Sequence, residues 1–380
     1  MSWKAVNTVS LRLEFVELAV KEDSNISELC RRFGVSRKTG YKWIKRYKEK
    51  GSQGLADRSR RPKSSPTTSP EKVVSEALKI RDKHPAWGAR KIHKRLQVLE
   101  VEDVPAVSTI NGILKRNGCI SEEASKRSRT FTRFEHPEPN DLWQMDFKGH
   151  FPMTNGRRCH PLTILDDHSR YSIALRAMDT EKRIPVQNEL TNVFRRFGLP
   201  AAMLMDNGPP WGTSQKGGHT QLEIWLMMLG IRVIHSRPRH PQTNGKDERF
   251  HLTLKVEVLQ GETFADLKDT QSRFDPFRKC YNHERPHESL ALDVPASRYK
   301  PSPRSFPEKI PDWDYGDAMT RRVGSSNCIT FRKHRFKIGK GFRGQDVAVR
   351  PTSEEDAFHV YFRNSYVKTI NLDQSPEHSG

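Results

Sequence analysis

The chain has 380 residues, 34% of them apolar and 29% charged, and Lys plus Arg outnumber Asp plus Glu 66 to 46, for a formal net charge of +20. That length exceeds one ordinary core, and the lean apolar fraction fits several small domains joined by polar linkers. The charge favours a polyanionic partner, while the longest apolar run, Ile224 to Ile231, falls far short of the ~20 residues of a membrane-spanning helix.

Met1 to Ser10 lacks a basic start followed by an apolar stretch, so a cytoplasmic chain without a secretion signal is expected. Five scattered cysteines, with no C-x-x-C pair, support neither a disulfide framework nor a cysteine-rich zinc site.

Residues 1–52 read as a helical domain. Leu11, Phe15, Leu18 and Ala19 recur on one helical face. Asn25, with Glu28 three residues on, forms a capping-box pattern before a short helix that stops at Gly34; Ser36 then caps a second helix. Helix, Gly-containing turn and helix make a helix-turn-helix, and its second helix carries Arg37, Lys38, Lys42, Lys45 and Arg46, candidates for DNA contact.

Residues 53–69 are a Gly, Ser and Pro-rich linker. Its Arg58, Arg60, Arg61 and Lys63 suit a narrow minor groove, although a merely solubilising linker would look the same.

Residues 70–120 form a second helical, DNA-binding-like unit. Val73, Ala77, Ile80, Ile92 and Leu96 are its apolar positions, and a last helix capped by Ser108 ends at Asn117-Gly118.

Residues 137–300 change character. Strand-like runs (Leu142 to Phe147, Pro161 to Leu165, Tyr171 to Met178) precede alternating helices and strands, which indicates a mixed α/β sheet covered by helices. Beyond a Pro-rich stretch, five short strand-like runs between 329 and 370 suggest a small β-barrel over 320–373.

Three acids stand where such a fold would place a site. Asp146 lies inside a strand, Asp206 directly after an apolar strand, and Glu248 in the helix after His240-Pro241-Gln242-Thr243-Asn244-Gly245. Carboxylates brought together repel each other, and a hard divalent cation relieves that repulsion. Singly, each has a plainer role: Asp206-Asn207-Gly208 is a turn sequence, and Glu248 a solvated helix residue.

The stretches Trp143-Gln144-Met145-Asp146-Phe147, Met205-Asp206-Asn207-Gly208 and His240 to His251 resemble the three signatures of the DDE transposase and integrase core. Asp166-Asp167-His168-Ser169-Arg170-Tyr171 resembles that family's strand hairpin, and Tyr281-Asn282 with Arg285-Pro286-His287 and Leu290 its closing segment. The layout as a whole resembles bacterial insertion-sequence transposases.

The resemblance implies an RNase H-like core in which Asp146, Asp206 and Glu248 hold two Mg²⁺ (or Mn²⁺) ions. It also implies cleavage at element ends, transfer of the freed 3′-hydroxyl into target DNA, at least a dimer on DNA, and work at the nucleoid. Asn244, Glu248 and Lys255 fall close to one helical face, so Asn244 and Lys255 are further DNA candidates, whereas Asp247, turned about 100° away, reads as a bystander. Asp166 and Asp167 read as turn organisers.

The Asp206 to Glu248 spacing is longer than in many relatives, with the extra residues expected in the Pro209 to Thr220 loop. The alternative, a catalytically inactive transposase-derived DNA-binding regulator, would not need all three acids.

Overall fold

The computed structural model describes residues 8–21, 24–58, 69–120, 135–208, 210–212, 218–235 and 245–373. It divides into two compact units, Met1–Thr68 and Ser69–Gly380.

Among its described residues the first unit contains α1 (Thr8–Ala19), α2 (Ile26–Arg32) and α3 (Arg37–Lys50), followed by a 3-10 turn, Gly51–Leu55. Asn25 Oδ1 caps α2 by accepting from the Ser27 and Glu28 amides, and Ser36 Oγ caps α3 by accepting from Thr39 N. Gly34, at φ 64°, makes the turn between them. The core is Phe15, Val16, Ala19, Cys30, Trp43 and Leu55. The buried stripe of α1 therefore runs through 15, 16 and 19, and Leu11, expected inside, is exposed.

The second unit opens with α4 (Glu71–Lys83), α5 (Ala89–Val98) and α6 (Val107–Arg116), closed around Ala77, Ile80, Trp87, Ile92, Leu96, Ile110 and Leu114. Ser108 lies within the first turn of α6 rather than capping it; Ala106 occupies the cap position.

Ion pairs fasten this module to the rest of the unit. Arg95 and Lys83 approach Glu284 Oε2 at 3.2 and 3.7 Å, and Lys94 approaches Asp293 at 3.1 Å. Lys91 is caught in the same contact. Burial, then the Arg285 charge, lowers its pKa to about 8.

Because the folded pKa lies below the unfolded 10.5, the cost of charging Lys91 is full below pH 8 and disappears as pH rises towards 10.5. Lys91→Met is therefore expected to stabilise the protein by about 1–2 kcal/mol at pH 7, with the gain shrinking above pH 8, as read by denaturant midpoints across pH.

The central sheet has the order β4–β3–β1–β5–β6, formed by Ser172–Met178, Arg158–Asp166, Leu142–Phe147, Ala202–Met205 and Arg232–His235. Short β2 (Phe151–Pro152) pairs with the start of β3. β3 runs antiparallel to β1 and β4, while β1, β5 and β6 are parallel.

Strand alternation sends Trp143 and Met145 to one face, beneath α7 (Arg183–Phe197) and α8 (Gln221–Met228). Leu165 and Leu175 pack on the other, beneath α9 (Gly245–Leu254) and α10 (Leu267–His283). Gln144 and Asp146 alternate onto that second face.

The tail, expected as a barrel, is instead two separate antiparallel sheets. One has the order β12–β11–β10–β7 (Ser365–Asn371, Ala357–Phe362, Asp346–Pro351, Met319–Arg322) and the other is the hairpin β8–β9 (Cys328–Phe331, His334–Lys337). They do not close on each other because Ile224 and Met227 of α8 complete their apolar core, which removes the need for closure. Arg363 clamps the contact through the carbonyls of Met228 and Pro311.

Candidate active site

Asp146 stands opposite Thr163 in the β1–β3 ladder. The β1–β5 register runs from Leu142↔Ala202 to Gln144↔Leu204; continued by two residues, it sets Asp206 beside Asp146.

Asp146 is half-buried. Burial raises its pKa to about 6 against an opposing hydrogen bond from the Phe147 amide, and the charges of Asp206, Glu181 and Glu248 push it further up. Asp206 and Glu248 thus act on the same carboxyl from a strand end and a helix.

Asp206 is held from behind. Its Oδ1 accepts from Gly208 N at 3.0 Å, and a Cβ on Gly208 would lie 3.2 Å from Oδ2. His235, last in β6, bridges the Asp206 carbonyl (2.8 Å) and buried Glu223 (2.7 Å). Glu223 also completes the capping box of α8 with Thr220.

The start of α9 is fixed by Lys246, whose ammonium pairs with Asp167 in the β3–β4 turn. Asp167 also accepts from Gln144 Nε2 and the His136 amide, and Asp166 accepts from Ser169 and from the Asn140 amide; both acids organise this turn. With Lys246 so anchored, Asp247 turns inward and Glu248 outward to an exposed position.

Asp247 is no bystander to the fold. It is 1% exposed, and its Oδ1 lies 3.2 Å from Thr163 Oγ1, itself 2.8 Å from His251 Nε2 and 3.0 Å from the Asp146 carbonyl. Burial, and then the Asp146 charge, drives the Asp247 pKa well above the ordinary carboxylate value, while burial lowers His251 to about 3. Donor atoms of Asp146, Asp247 and His251 lie within 4.8 Å of one another.

A sequence signal for this network existed. Positions 247, 250, 251 and 254 form one helical stripe, and Asp and His there sit between buried Phe250 and Leu254.

Of the DNA candidates, Arg37, Lys38, Lys42 and Lys45 line the exposed side of α3, and Arg58 is exposed. Lys255 is exposed at the start of a π-helical turn, Lys255–Leu259. Asn244, Arg60, Arg61, Lys63 and His240 lie outside the described residues.

An acid-bearing mixed sheet between paired helices, behind two helical modules, defines an integrase-type core, and comparison with known families agrees. Integrase core domain models match residues 136–241 and 229–295. A helix-turn-helix domain matches 11–63, a homeodomain-like domain 39–114, and the C-terminal domain of IS481 family transposases 318–377.

Relatives include an uncharacterized 39.2 kDa protein of insertion element IS476 from Xanthomonas euvesicatoria, 26% identical over 64% of this chain and 69% of that protein. Another is an uncharacterized 31.7 kDa protein of insertion element IS407 from Burkholderia multivorans, 24% identical over 73% and 92%. The transposase for transposon Tn552 of Staphylococcus aureus is 22% identical over 91% and 79%. The HTLV-2 integrase catalytic core in complex with magnesium aligns at 13% identity over 43% of this chain and 99% of that one, with a TM-score of 0.31. The chain thus carries an integrase core domain, helix-turn-helix domains and an IS481-type transposase C-terminal domain, and it is similar to insertion-element and transposon proteins.

Proposed function

We propose that this transposase cuts DNA at the ends of its element and joins the freed 3′-hydroxyl to target DNA at a site built from Asp146, Asp206 and Glu248. The supporting observation is convergence: strand register sets Asp206 beside Asp146, and both the Asp206 and Glu248 charges raise the Asp146 pKa.

An all-oxygen, mutually repelling donor set fits a hard divalent cation, and the three carboxylates would hold two Mg²⁺ or Mn²⁺ ions. Such ions supply Lewis acidity and charge neutralisation for phosphoryl transfer. The chain's own residues supply position. Gly208 and His235 fix Asp206, Lys246 and Asp167 fix α9, and Asp247 with Thr163 ties α9 to β3 beside Asp146.

The domain layout we propose is 1–52 and 70–120 as DNA-binding modules, 53–69 as a basic linker, 137–300 as an RNase H-like core and 320–373 as a β-rich tail. The protein works on DNA as at least a dimer, at the nucleoid in the bacterial cytoplasm. Lys255, exposed seven residues after Glu248 and so on the same helical face, and Asn244 would hold DNA phosphate near the acids. Among the described residues, no helix is long and apolar enough to cross a membrane.

The test is a joining assay with DNA flanking the gene, a supercoiled plasmid and Mg²⁺; cutting without joined product would sink the transfer step. For the first module, replacing Arg37, Lys38 and Lys42 with Ala is expected to weaken end binding. The slope of log K against log salt should fall by about 0.9 for each phosphate that is no longer neutralised; an unchanged slope would remove α3 from the interface.

A further inference from the structure

Where the second helical module meets the core, three side chains able to bind metal converge at a place that uses none of the three acids. α10 turns its buried stripe, Phe274, Phe277 and Tyr281, towards α9 and β4. Cys280 lies off that stripe and packs instead against the module's own core, which includes Ala77, Ile80 and Trp87. Glu284 follows one helical turn later, its amide donating to the Cys280 carbonyl at 2.8 Å, so the two side chains share a face.

The module contributes His84, the residue that ends α4, whose amide donates to the Ile80 carbonyl at 2.9 Å. Its ring lies flat on Trp87, with centroids 4.0 Å apart and planes within 9°, so a fully buried indole fixes its orientation. One ligand atom from each of His84, Cys280 and Glu284 lies within 4.8 Å of the other two, and all three residues are half-buried. Cys280 is a free thiol. Glu284 meets Arg95 and Lys83 through Oε2, and a carboxylate has a second oxygen to give.

This donor set differs in kind from the active-site acids. Imidazole nitrogen, thiolate sulfur and one carboxylate suit Zn²⁺, whereas Mg²⁺ asks for oxygen alone. Zinc bonds run about 2.0–2.3 Å, so side-chain shifts of about an ångström would bring all three donors onto one ion, with water in the fourth position. Thiolate and carboxylate together balance the two charges of the ion. Arg285, the next residue, is already paired with Glu257 at 2.9 Å and does not compete for Glu284.

We infer that His84, Cys280 and Glu284 form a Zn²⁺ site that ties the second helical module to the core. Its ligands come from segments far apart in the chain, so the ion would add a cross-link to the ion pairs that already join them. The site stands or falls independently of the transposase reading.

Co²⁺ reports on such a site directly. Added to the full-length protein in excess Mg²⁺, it is expected to give a thiolate-to-metal charge-transfer band at one equivalent per chain, and Zn²⁺ should displace it. Zn²⁺ at about a hundredfold over its Kd should raise the melting temperature by about 3–6 °C. Cys280→Ser should lose the band. His84→Phe, which keeps a ring on Trp87, should weaken Co²⁺ binding more than about tenfold.

A wild type that gives no band overturns the inference. So does a band that survives in Cys280→Ser, or Co²⁺ affinity within twofold of wild type in His84→Phe. Should both variants fail to fold, alkylation of the wild type decides. Zn²⁺ should slow labelling of Cys280 more than about tenfold and leave the equally half-buried Cys328 unchanged. Equal labelling of Cys280 with and without Zn²⁺ overturns the inference.

Discussion

Glu248→Gln is expected to lower cleavage and joining by roughly 10³-fold or more while leaving end binding and melting temperature nearly unchanged. Glu248 is exposed on α9, so the amide is accommodated without repacking. What is lost is a negative charge in a set whose members reach one another electrostatically, as the raised Asp146 pKa records. An amide oxygen can still donate a lone pair but cannot neutralise a divalent ion.

Asp146→Asn should be as inactive, yet more stable in the absence of divalent metal at neutral pH, because it removes a desolvated carboxylate from between two others. Loss of activity with a rise in melting temperature separates a functional acid from a structural one. A Glu248→Gln protein that joins DNA at the wild-type rate would remove Glu248 from the site.

Much of this was legible in the chain, for reasons that differ by region. The helix-turn-helix is written locally: Asn25, Gly34 and Ser36 each act within three residues, and each performs its cap or turn. The core strands were legible because buried strands have continuous apolar runs, as in Ala202–Met205.

The long helix α10 was not, although its end carries the Tyr281-Asn282 motif. Pro276 interrupts its pattern, and its helical form depends on packing Phe274, Phe277 and Tyr281 against α9 and β4. The tail was misjudged for a similar reason. Five strand-like runs suggest closure, but the partner that covers these sheets is α8, which ends at Met228, far before the first of their strands at Met319, and no local pattern reports a core completed from elsewhere.

The burial of Asp247 was not legible because helical spacing gives an angle relative to Glu248, not a burial. Which of two neighbouring acids faces inward is decided by Lys246 meeting Asp167 across the sheet turn.

Asp247→Asn, in contrast to Glu248→Gln, is expected to retain cleavage and joining within about threefold. Asp247 is buried, and burial together with the Asp146 and Glu248 charges raises its carboxyl well above the ordinary carboxylate range, which favours the protonated form. A protonated carboxyl and a primary amide are both neutral, nearly isosteric, and able to donate and accept, so Asn can keep the contact to Thr163.

His251, with its pKa lowered to about 3, is neutral, so the 3.8 Å approach between His251 and Asp247 contributes no ion pair. Asp247→Leu should behave differently. It removes one of the three polar partners of Thr163, leaving His251 and the Asp146 carbonyl, and sets an apolar side chain in a buried polar network; it should cost about 1–3 kcal/mol of stability, visible as a lower melting temperature and, through a loosened α9, as slower joining. If Asp247→Asn proved as inactive as Glu248→Gln at an unchanged melting temperature, charge at Asp247 would be needed for the chemistry. The cluster of Asp146, Asp247 and His251 would then take part in holding metal rather than in holding the helix.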